Sequence, residues 1–353
     1  MSKTKKSSST RGNTRKTANR YGLSRTIPSE TKREVRQRCG FGCVVCGNAI
    51  VEYEHFEPEF KDAKKHDATG IILLCTACHG RKTRRLLSKE TIREHIAAPA
   101  SREQGFASDV FDTNGEHPRV TLGDIEAFEV ETLLKIEGER VLWVEPPEQP
   151  GSPFRLNAHF KTKGGSTLFQ ITDNEWKAPS DNWDVQMEAN RITIRAARGE
   201  IALVLRTVPP DALHVERLVC EHRGWKIEAH LGRAVIFSKG DQVFTTNGMV
   251  LERVDTAVEV SSNQFVIGFS GRKSNSSVQM RSLKIGAPDG RMPRPHGQSY
   301  LSSESPPDNP FESGRAEAFQ RQELDAPCEC GSGSAYGLCH YGNDVRKGLK
   351  SSN

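Results

Sequence analysis

The stretch that decides the fold of the N-terminal part of this chain is a pair of motifs, Cys43-Val44-Val45-Cys46 and Cys75-Thr76-Ala77-Cys78. Two Cys-x-x-Cys pairs supply the four thiolates of one closed, tetrahedral zinc site. The 28 residues between the pairs leave room for two strands, which we predict at 50–56 and 71–74, and a helix follows from Thr76 to Leu87. Because so short a segment buries little apolar surface, the metal is expected to supply folding free energy.

Three further residues lie within this pattern without belonging to the closed zinc site: Glu54, His55 and His79. Four thiolates fill the zinc coordination sphere, so these side chains are available for a second, open metal site. On a strand, neighbours 54 and 55 point to opposite faces unless the strand is bent or twisted, so one can face the metal and the other a water. Histidine takes a proton from water near neutral pH, and a cation neutralises phosphoryl oxygens. The pattern therefore predicts metal-dependent phosphodiester hydrolysis.

Three motifs in residues 30–97 carry a family resemblance: Cys43-x-x-Cys46, Glu54-His55-Phe56-Glu57-Pro58 and Leu74-Cys75-x-x-Cys78-His79-x-x-Lys82. In order and spacing they resemble the HNH nuclease family. The resemblance implies a ββα-metal fold, with His55 as general base and with Glu54 and His79 as ligands of one divalent cation, Mg²⁺ or Mn²⁺. It also implies DNA as the partner, cleaved to a 5′-phosphate and a 3′-hydroxyl.

One position departs from the family pattern. The family's central Asn, which braces the histidine loop, falls in register at Gly70. Because glycine has no side chain to donate a hydrogen bond, Asp67 or Thr69 is a candidate substitute. Two functions stay open: an active DNA endonuclease, or a catalytically degenerate, zinc-stabilised DNA-binding adaptor. His66 lies in a Lys-rich loop and is interpreted as a solvated side chain, with an approach to the metal as the alternative.

The net charge of +5 is unevenly distributed. Residues 1–40 carry twelve Lys or Arg against two Glu, a net charge of +10, so the other 313 residues sum to −5. Residues 1–26 are predicted to be a disordered basic tail, which is either simply solvated or an arm that contacts DNA phosphates without reading sequence. A second basic group on the predicted helix is either a solvated face or a set of phosphate contacts beside the site. Its members are Arg81, Lys82, Arg84 and Arg85.

The whole chain is predicted to be an α+β multidomain protein. The HNH-like module takes residues 27–99, and a polar linker takes residues 100–119. Short strands with regular turn signals predict an all-β domain, sandwich or barrel-like, over residues 120–286, with a two-residue hairpin at Asn247-Gly248. No motif fixes the specificity of this domain. The Pro-, Ser- and Gly-rich segment 287–326 is predicted to be a disordered linker.

A second cysteine group lies near the C-terminus, in residues 327–345. Its three thiolates and one imidazole form a complete structural zinc set without an open position, from Cys328, Cys330, Cys339 and His340. Residues 327–341 resemble the SEC-C motif, which implies a small zinc knuckle that contacts a protein partner. The chain is thus expected to hold two structural Zn²⁺ ions.

The sequence argues against a secreted or membrane protein. Its apolar runs are too short for a bilayer-spanning helix, and the N-terminus lacks the apolar core of a signal peptide. We therefore predict a cytoplasmic, bacterial-type protein without membrane contact. A disulfide framework is the alternative use of nine cysteines, but seven of them fall in the two metal-like groups. Of the other two, Cys39 receives no role and Cys220 is expected in the core.

Overall fold

A computed structural model describes residues 18–113, 115–271 and 276–286 of the protein. In these residues strands predominate. The helices are α1 (Ser29–Cys39), α2 (Thr76–Thr83), α3 (Lys89–Ala97) and α4 (Ala100–Glu103). The strands are β1 (Val51–His55), β2 (Ile71–Cys75), β3 (Phe106–Val110), β4 (Arg119–Leu122), β5 (Ile125–Phe128), β6 (Thr132–Ile136), β7 (Glu139–Glu145), β8 (Arg155–Lys161), β9 (Thr167–Thr172), β10 (Glu175–Pro179), β11 (Asp184–Glu188), β12 (Arg191–Ala197), β13 (Glu200–Val208), β14 (Ala212–His222), β15 (Trp225–His230), β16 (Ile236–Lys239), β17 (Gln242–Glu252), β18 (Thr256–Val260), β19 (Phe265–Phe269) and β20 (Ser277–Gly286).

The N-terminal module, residues 27–99, is organised around an antiparallel pair of strands. In this pair β1 and β2 run from Val51 opposite Cys75 to His55 opposite Ile71. Every residue of β2 is buried, as expected for a short, continuous apolar run. The helices α1 and α2 contact β2, and the module has a hydrophobic cluster of its own. The two strands predicted at 50–56 and 71–74 are thus confirmed.

The helix after the second cysteine pair is shorter than predicted. Instead of continuing to Leu87, α2 ends at Thr83. Three consecutive backbone N–H groups, those of residues 84, 85 and 86, bond back to the carbonyls of Gly80, Lys82 and Arg81 and close the last turn. Arg85 then adopts a left-handed conformation with φ of 60°. This turn buries Leu87 in the module's own core, so packing overrides the helical propensity of the basic run.

The rest of the described chain forms two large β-sheets with a shared core. One has eight strands in the order β19-β18-β6-β7-β8-β9-β10-β3, and the other contains β11 to β17 with β4, β5 and β20. The β4–β5 hairpin lies between β14 and β17 and pairs in parallel with both. Buried residues of both sheets, including Phe160 and Trp225, belong to one hydrophobic cluster. An all-β domain in this part of the chain agrees with the sequence prediction.

The hairpin predicted at Asn247-Gly248 is wrong. Both residues lie inside β17, which continues for 11 residues. The positive φ of Gly248, 61°, is taken up within the strand, because its N–H donates to Oδ2 of Asp124 at 2.7 Å. Tertiary hydrogen bonding thus replaces the turn that this dipeptide favours in isolation.

Two segments predicted to be irregular carry ordered structure. The interval 100–119 contains α4 and β3, and β3 pairs with β10 at the edge of the eight-stranded sheet. Part of the predicted basic tail also packs on the module, since Nδ2 of Asn19 donates to the carbonyls of Phe60 and Ala63 at 2.6 and 2.7 Å. The guanidinium of Arg25 lies 4.7 Å from the centroid of the Phe60 ring. These contacts could not be predicted from the composition of the segment, because each is made by one particular side chain.

The N-terminal module is joined directly to the β-sheets. Arg36 in α1 donates to both carboxylate oxygens of Asp184 in β11, at 2.8 and 2.7 Å, and to the hydroxyl of Tyr53 at 2.7 Å. The side chains of this ion pair are only 8% and 1% exposed. The N–H of Ala49 also donates to the carbonyl of Ser108 in β3 at 2.9 Å. A buried, fully hydrogen-bonded charge pair fixes one relative position of the two parts.

Among the described residues, no helix has the length and apolar character required to cross a lipid bilayer. The rest of the predicted basic tail, residues 1–17, lies outside the described residues. The same holds for the predicted linker 287–326 and for the predicted zinc knuckle at 327–345, with Cys328, Cys330, Cys339 and His340.

Candidate metal centre

The two cysteine pairs converge at one point of the N-terminal module. The Sγ atoms of Cys43, Cys46, Cys75 and Cys78 all lie within 4.8 Å of one another. The Sγ atom of Cys46 is 3.6 Å from that of Cys75 and 3.8 Å from that of Cys78. Four sulfurs bound tetrahedrally at about 2.3 Å from a zinc ion stand roughly 3.8 Å apart. The donor set and its spacing therefore fit a metal such as zinc.

Backbone geometry places these sulfurs. The first pair forms a tight turn in which the N–H of Gly47 donates to the carbonyl of Cys43 at 2.8 Å, with Gly47 at a φ of 78°. The second pair opens α2, because Sγ of Cys75 accepts the N–H of Cys78 at 3.4 Å. The hydrogen bond from Cys46 lowers the pKa of Cys43 to about 5. All six described cysteines are free of disulfides, which leaves these thiols available as ligands.

The acidic residue and the histidine predicted as cation ligands lie side by side. Nε2 of His79 in α2 is 3.4 Å from Oε2 of Glu54 in β1. Two donors bound at about 2.1 Å from one cation stand roughly 3.0–3.4 Å apart when the angle between them is about 90–110°. Carboxylate oxygen and imidazole nitrogen are both donors for divalent cations. This pair therefore fits a cation site with only two protein ligands.

Glu52 completes the environment of His79. It lies two residues before Glu54, on the same face of β1, and its Oε2 is 3.3 Å from Nδ1 of His79. A carboxylate on one imidazole nitrogen fixes the ring and leaves the other nitrogen for a ligand. Glu52 was not predicted as part of the site, although its spacing of two residues from Glu54 on a predicted strand places both carboxylates on one face.

Lys82 lies on the other side of Glu54. Its Nζ forms an ion pair with Oε1 of Glu54, and both side chains are largely buried, at 16% and 22% exposure. Lys82 is three residues after His79, on the next turn of α2, so the two side chains reach the same carboxylate from one helix face. The pair neutralises one negative charge at the candidate cation site.

His55 occupies the opposite face of β1. The residue is 9% exposed, and Nε2 lies 3.0 Å from Nδ1 of His66. The edge of the Phe60 ring packs on it at 5.3 Å between centroids. Burial lowers the pKa of His55 below its ordinary value, and the neighbouring His66 lowers it further, whereas Glu54 opposes the shift. The imidazole is therefore neutral at pH 7. No hydrogen bond links it to Glu54 or His79 among the described contacts.

The conformation of the loop from Phe56 to Gly70 requires a residue without a side chain at position 70. The carbonyl of Gly70 accepts the N–H groups of Phe56 and Glu57, at 2.9 and 3.2 Å. A Cβ atom at this position would lie 2.3 Å from the carbonyl oxygen of Glu57. Asp67 and Thr69, the predicted substitutes for the family's Asn, bond to each other instead, through Oγ1 of Thr69 at 2.6 Å. The main chain braces the loop.

The basic run predicted to contact nucleic acid lies next to this site. Arg81, Arg84 and Arg85 are exposed, whereas Lys82 is engaged with Glu54. A cleft of about 520 Å³ next to Arg85 is lined by positively and negatively charged side chains and by the hydroxyl groups of Thr83 and Ser88. Its cationic members are Lys82, Arg85 and Lys89. The surface beside the candidate cation site thus carries exposed positive charge.

Comparison with protein-family models, with curated proteins and with solved structures gives no match for this chain.

Proposed function

We propose that this protein is a metal-dependent DNA endonuclease whose site lies on the N-terminal module. The observation that carries the proposal is the pair Glu54–His79, 3.4 Å apart, on the strand that also holds the neutral His55. In this proposal the antiparallel pair β1–β2 and α2 are the ββα-metal unit of an HNH nuclease. The four thiolates of the cysteine cluster hold a structural Zn²⁺ that keeps α2 against β2.

Each residue of the proposed site has a defined task. Glu54 and His79 would hold Mg²⁺ or Mn²⁺, and Glu52 orients the imidazole of His79. The bound cation supplies charge neutralisation at the scissile phosphate. His55, kept neutral by burial, accepts the proton of the attacking water as general base. Arg81, Arg84 and Arg85 contact the DNA backbone, and the basic N-terminal arm adds sequence-independent affinity.

A second candidate function has an observation in its favour. The ion pair between Lys82 and Glu54 competes with a cation for the same carboxylate. A site in which lysine keeps that carboxylate permanently would bind DNA without cutting it. The alternative is therefore a zinc-stabilised DNA-binding adaptor, which uses the same cysteines and arginines. In either case the predicted C-terminal zinc knuckle would serve a protein partner.

Plasmid cleavage in the presence of Mg²⁺ or Mn²⁺ separates the two functions. The enzyme cuts, and His55→Ala lowers the rate by about 10²–10⁴-fold because a general base contributes that much. The matched control is His95→Ala, a histidine on α3 outside the site, which cuts like the wild type. If the wild type does not cut with either metal but retains salt-sensitive DNA binding, the adaptor function is correct and the nuclease proposal is wrong.

A further inference from the structure

We propose that His66 is a positioning residue for His55. In this role its ring holds His55 in the tautomer that leaves Nδ1 of His55 as a bare lone pair. The inference rests on the proposed function, since it identifies which nitrogen of the general base meets water. His66 itself contacts neither the cation pair Glu54–His79 nor the cysteine cluster in any described hydrogen bond.

The geometry assigns the two nitrogens of His55 to different tasks. Nε2 is turned inward, 3.0 Å from Nδ1 of His66, with the two ring centroids 5.1 Å apart. Phe60 packs against the same ring. Among the described contacts Nδ1 of His55 has no hydrogen-bond partner, and it is also not one of the fully buried polar atoms without a partner, which leaves it within reach of water. Nδ1 is therefore the atom that can meet an attacking water.

The hydrogen bond between the rings then determines whether His55 can act. A neutral imidazole has one N–H donor and one acceptor nitrogen. If Nε2–H of His55 donates to His66, Nδ1 of His55 is free to accept a proton. If His66 donates instead, Nδ1 of His55 already carries its proton and cannot act as a base. Only a His66 that accepts through Nδ1 is compatible with general-base chemistry.

His66 meets His55 through one nitrogen. Nε2 of His66 is buried and has no hydrogen-bond partner among the described residues, so Nδ1 is the nitrogen through which this ring holds His55. In the proposed arrangement Nδ1 of His66 accepts and its Nε2 carries the proton. Position 70 cannot supply a side chain that orients His55, because a Cβ atom there would meet the carbonyl oxygen of Glu57.

Two substitutions separate positioning from structural support. His66→Asn keeps an acceptor oxygen close to the position of Nδ1, whereas His66→Leu fills a similar volume without one. We expect His66→Leu to cut plasmid about 10- to 100-fold more slowly, as for a misplaced catalytic group, and His66→Asn to recover most of the loss. His66→Leu leaves Nε2–H of His55 without its acceptor, and His66→Asn introduces an amide with its own N–H groups, so thermal unfolding checks that each variant is folded at the assay temperature. His95→Leu serves as the matched control for removal of a histidine.

A readout without cleavage keeps this inference separate from the nuclease proposal. Long-range ¹H–¹⁵N NMR of the imidazoles in the full chain identifies which nitrogen of His55 carries the proton. We expect Nε2–H in the wild type and in His66→Asn, and a mixture of tautomers in His66→Leu. A proton on Nδ1 of His55 in the wild type overturns the inference, whether or not the protein cuts DNA. Unchanged cleavage by His66→Leu in an active enzyme overturns it as well.

Discussion

Gly70 illustrates how much of the candidate site depends on single residues. The histidine loop is held by the main chain at this position, with two N–H groups on one carbonyl. The absence of a side chain permits the close approach of the Glu57 carbonyl. In this chain the loop from Phe56 to Gly70 is therefore held by main-chain hydrogen bonds and not by a side chain at position 70.

The first prediction compares two glycines. Gly70→Ala should destabilise the protein by about 1–3 kcal/mol, because its Cβ would lie 2.3 Å from the Glu57 carbonyl oxygen and the backbone must shift. Gly80→Ala should stabilise it by about 0.5–1 kcal/mol, because Gly80 lies in α2 and its Cβ would meet nothing within 4 Å. Denaturant unfolding measures both. Equal effects of the two substitutions would contradict the steric argument.

Sequence reasoning reached part of the site at this scale. It identified the cysteines and the pair Glu54–His79, because ligand type and spacing are written in the chain. It interpreted His66 as solvated, because the polar composition of residues 61–67 does not reveal that the loop folds back onto His55. Which of several loop residues meets a given ring depends on the path of the loop, and no local pattern specifies that path.

At the scale of elements, the cysteine cluster connects a turn, a strand and a helix. Its sulfurs come from the turn before β1, from the end of β2 and from the first turn of α2. The orientation of α2, and with it the position of His79 relative to β1, therefore depends on these four thiols. A metal bound here contributes to folding because the unfolded chain has no preformed site.

The second prediction tests this metal. Cys46→Ser should lower the zinc content of the purified chain by one equivalent and lower its unfolding temperature, since three thiolates hold zinc less well than four. Cys39→Ala is the control, because Cys39 lies in the same core but outside the sulfur cluster. Atomic absorption gives the zinc count. An unchanged count in Cys46→Ser would show that the cluster does not hold the metal.

A third prediction concerns the contact between β14 and β7. His222 is buried, with Nε2 at 2.8 Å from Glu139, and burial lowers its pKa below the ordinary value although Glu139 opposes the shift. The unfolded chain therefore takes up the proton first as the pH falls, and stability declines below about pH 6.5. His222→Gln should make that decline shallower, by up to about one proton in the slope of unfolding free energy against pH. Identical slopes would refute this, and measurements at pH 8 give the pH-independent effect of the substitution.

The elements themselves were largely predictable, with instructive exceptions. The alternation of apolar and polar residues in 191–195 and the turn residues Arg198-Gly199 are signals typical of a strand pair, and the structure has β12 and β13 there. The hairpin prediction at Asn247-Gly248 was wrong because β17 pairs with three other strands and the N–H of Gly248 donates to Asp124. The free energy by which this dipeptide favours a turn is small compared with that of the backbone hydrogen bonds between paired strands.

On the scale of the whole molecule, the N-terminal module and the β-sheets are one body in the described chain. All described residues fall in one compact unit. Phe41 and Ala49, which belong to the module in sequence, are buried in the core of the sheets. The predicted linker was a polar interval whose few apolar residues sufficed to form an edge strand. Contacts between segments distant in sequence decide this, so composition could not predict it.

The fourth prediction tests the connection between the two parts. Arg36→Met should destabilise the protein by about 1.5–3 kcal/mol, because the buried carboxylate of Asp184 loses two charged hydrogen bonds and keeps only the ion pair with Arg195 at 3.2 Å. Arg93→Met is the matched control: its ion pairs with Glu57 and Glu90 are exposed, and such pairs contribute about 0–1 kcal/mol. The double variant Arg36→Met with Asp184→Leu should recover part of the loss. Denaturant unfolding measures the series, and a loss below about 1 kcal/mol in Arg36→Met would contradict the prediction.

The hydroxyl of Tyr53 gives this connection a further consequence. Tyr53 bonds to the guanidinium that holds Asp184, and in β1 it is flanked by Glu52 and Glu54. One buried guanidinium thus bridges β11 and β1, so the strand that holds the proposed cation ligands is anchored to the ten-stranded sheet as well as to its own module.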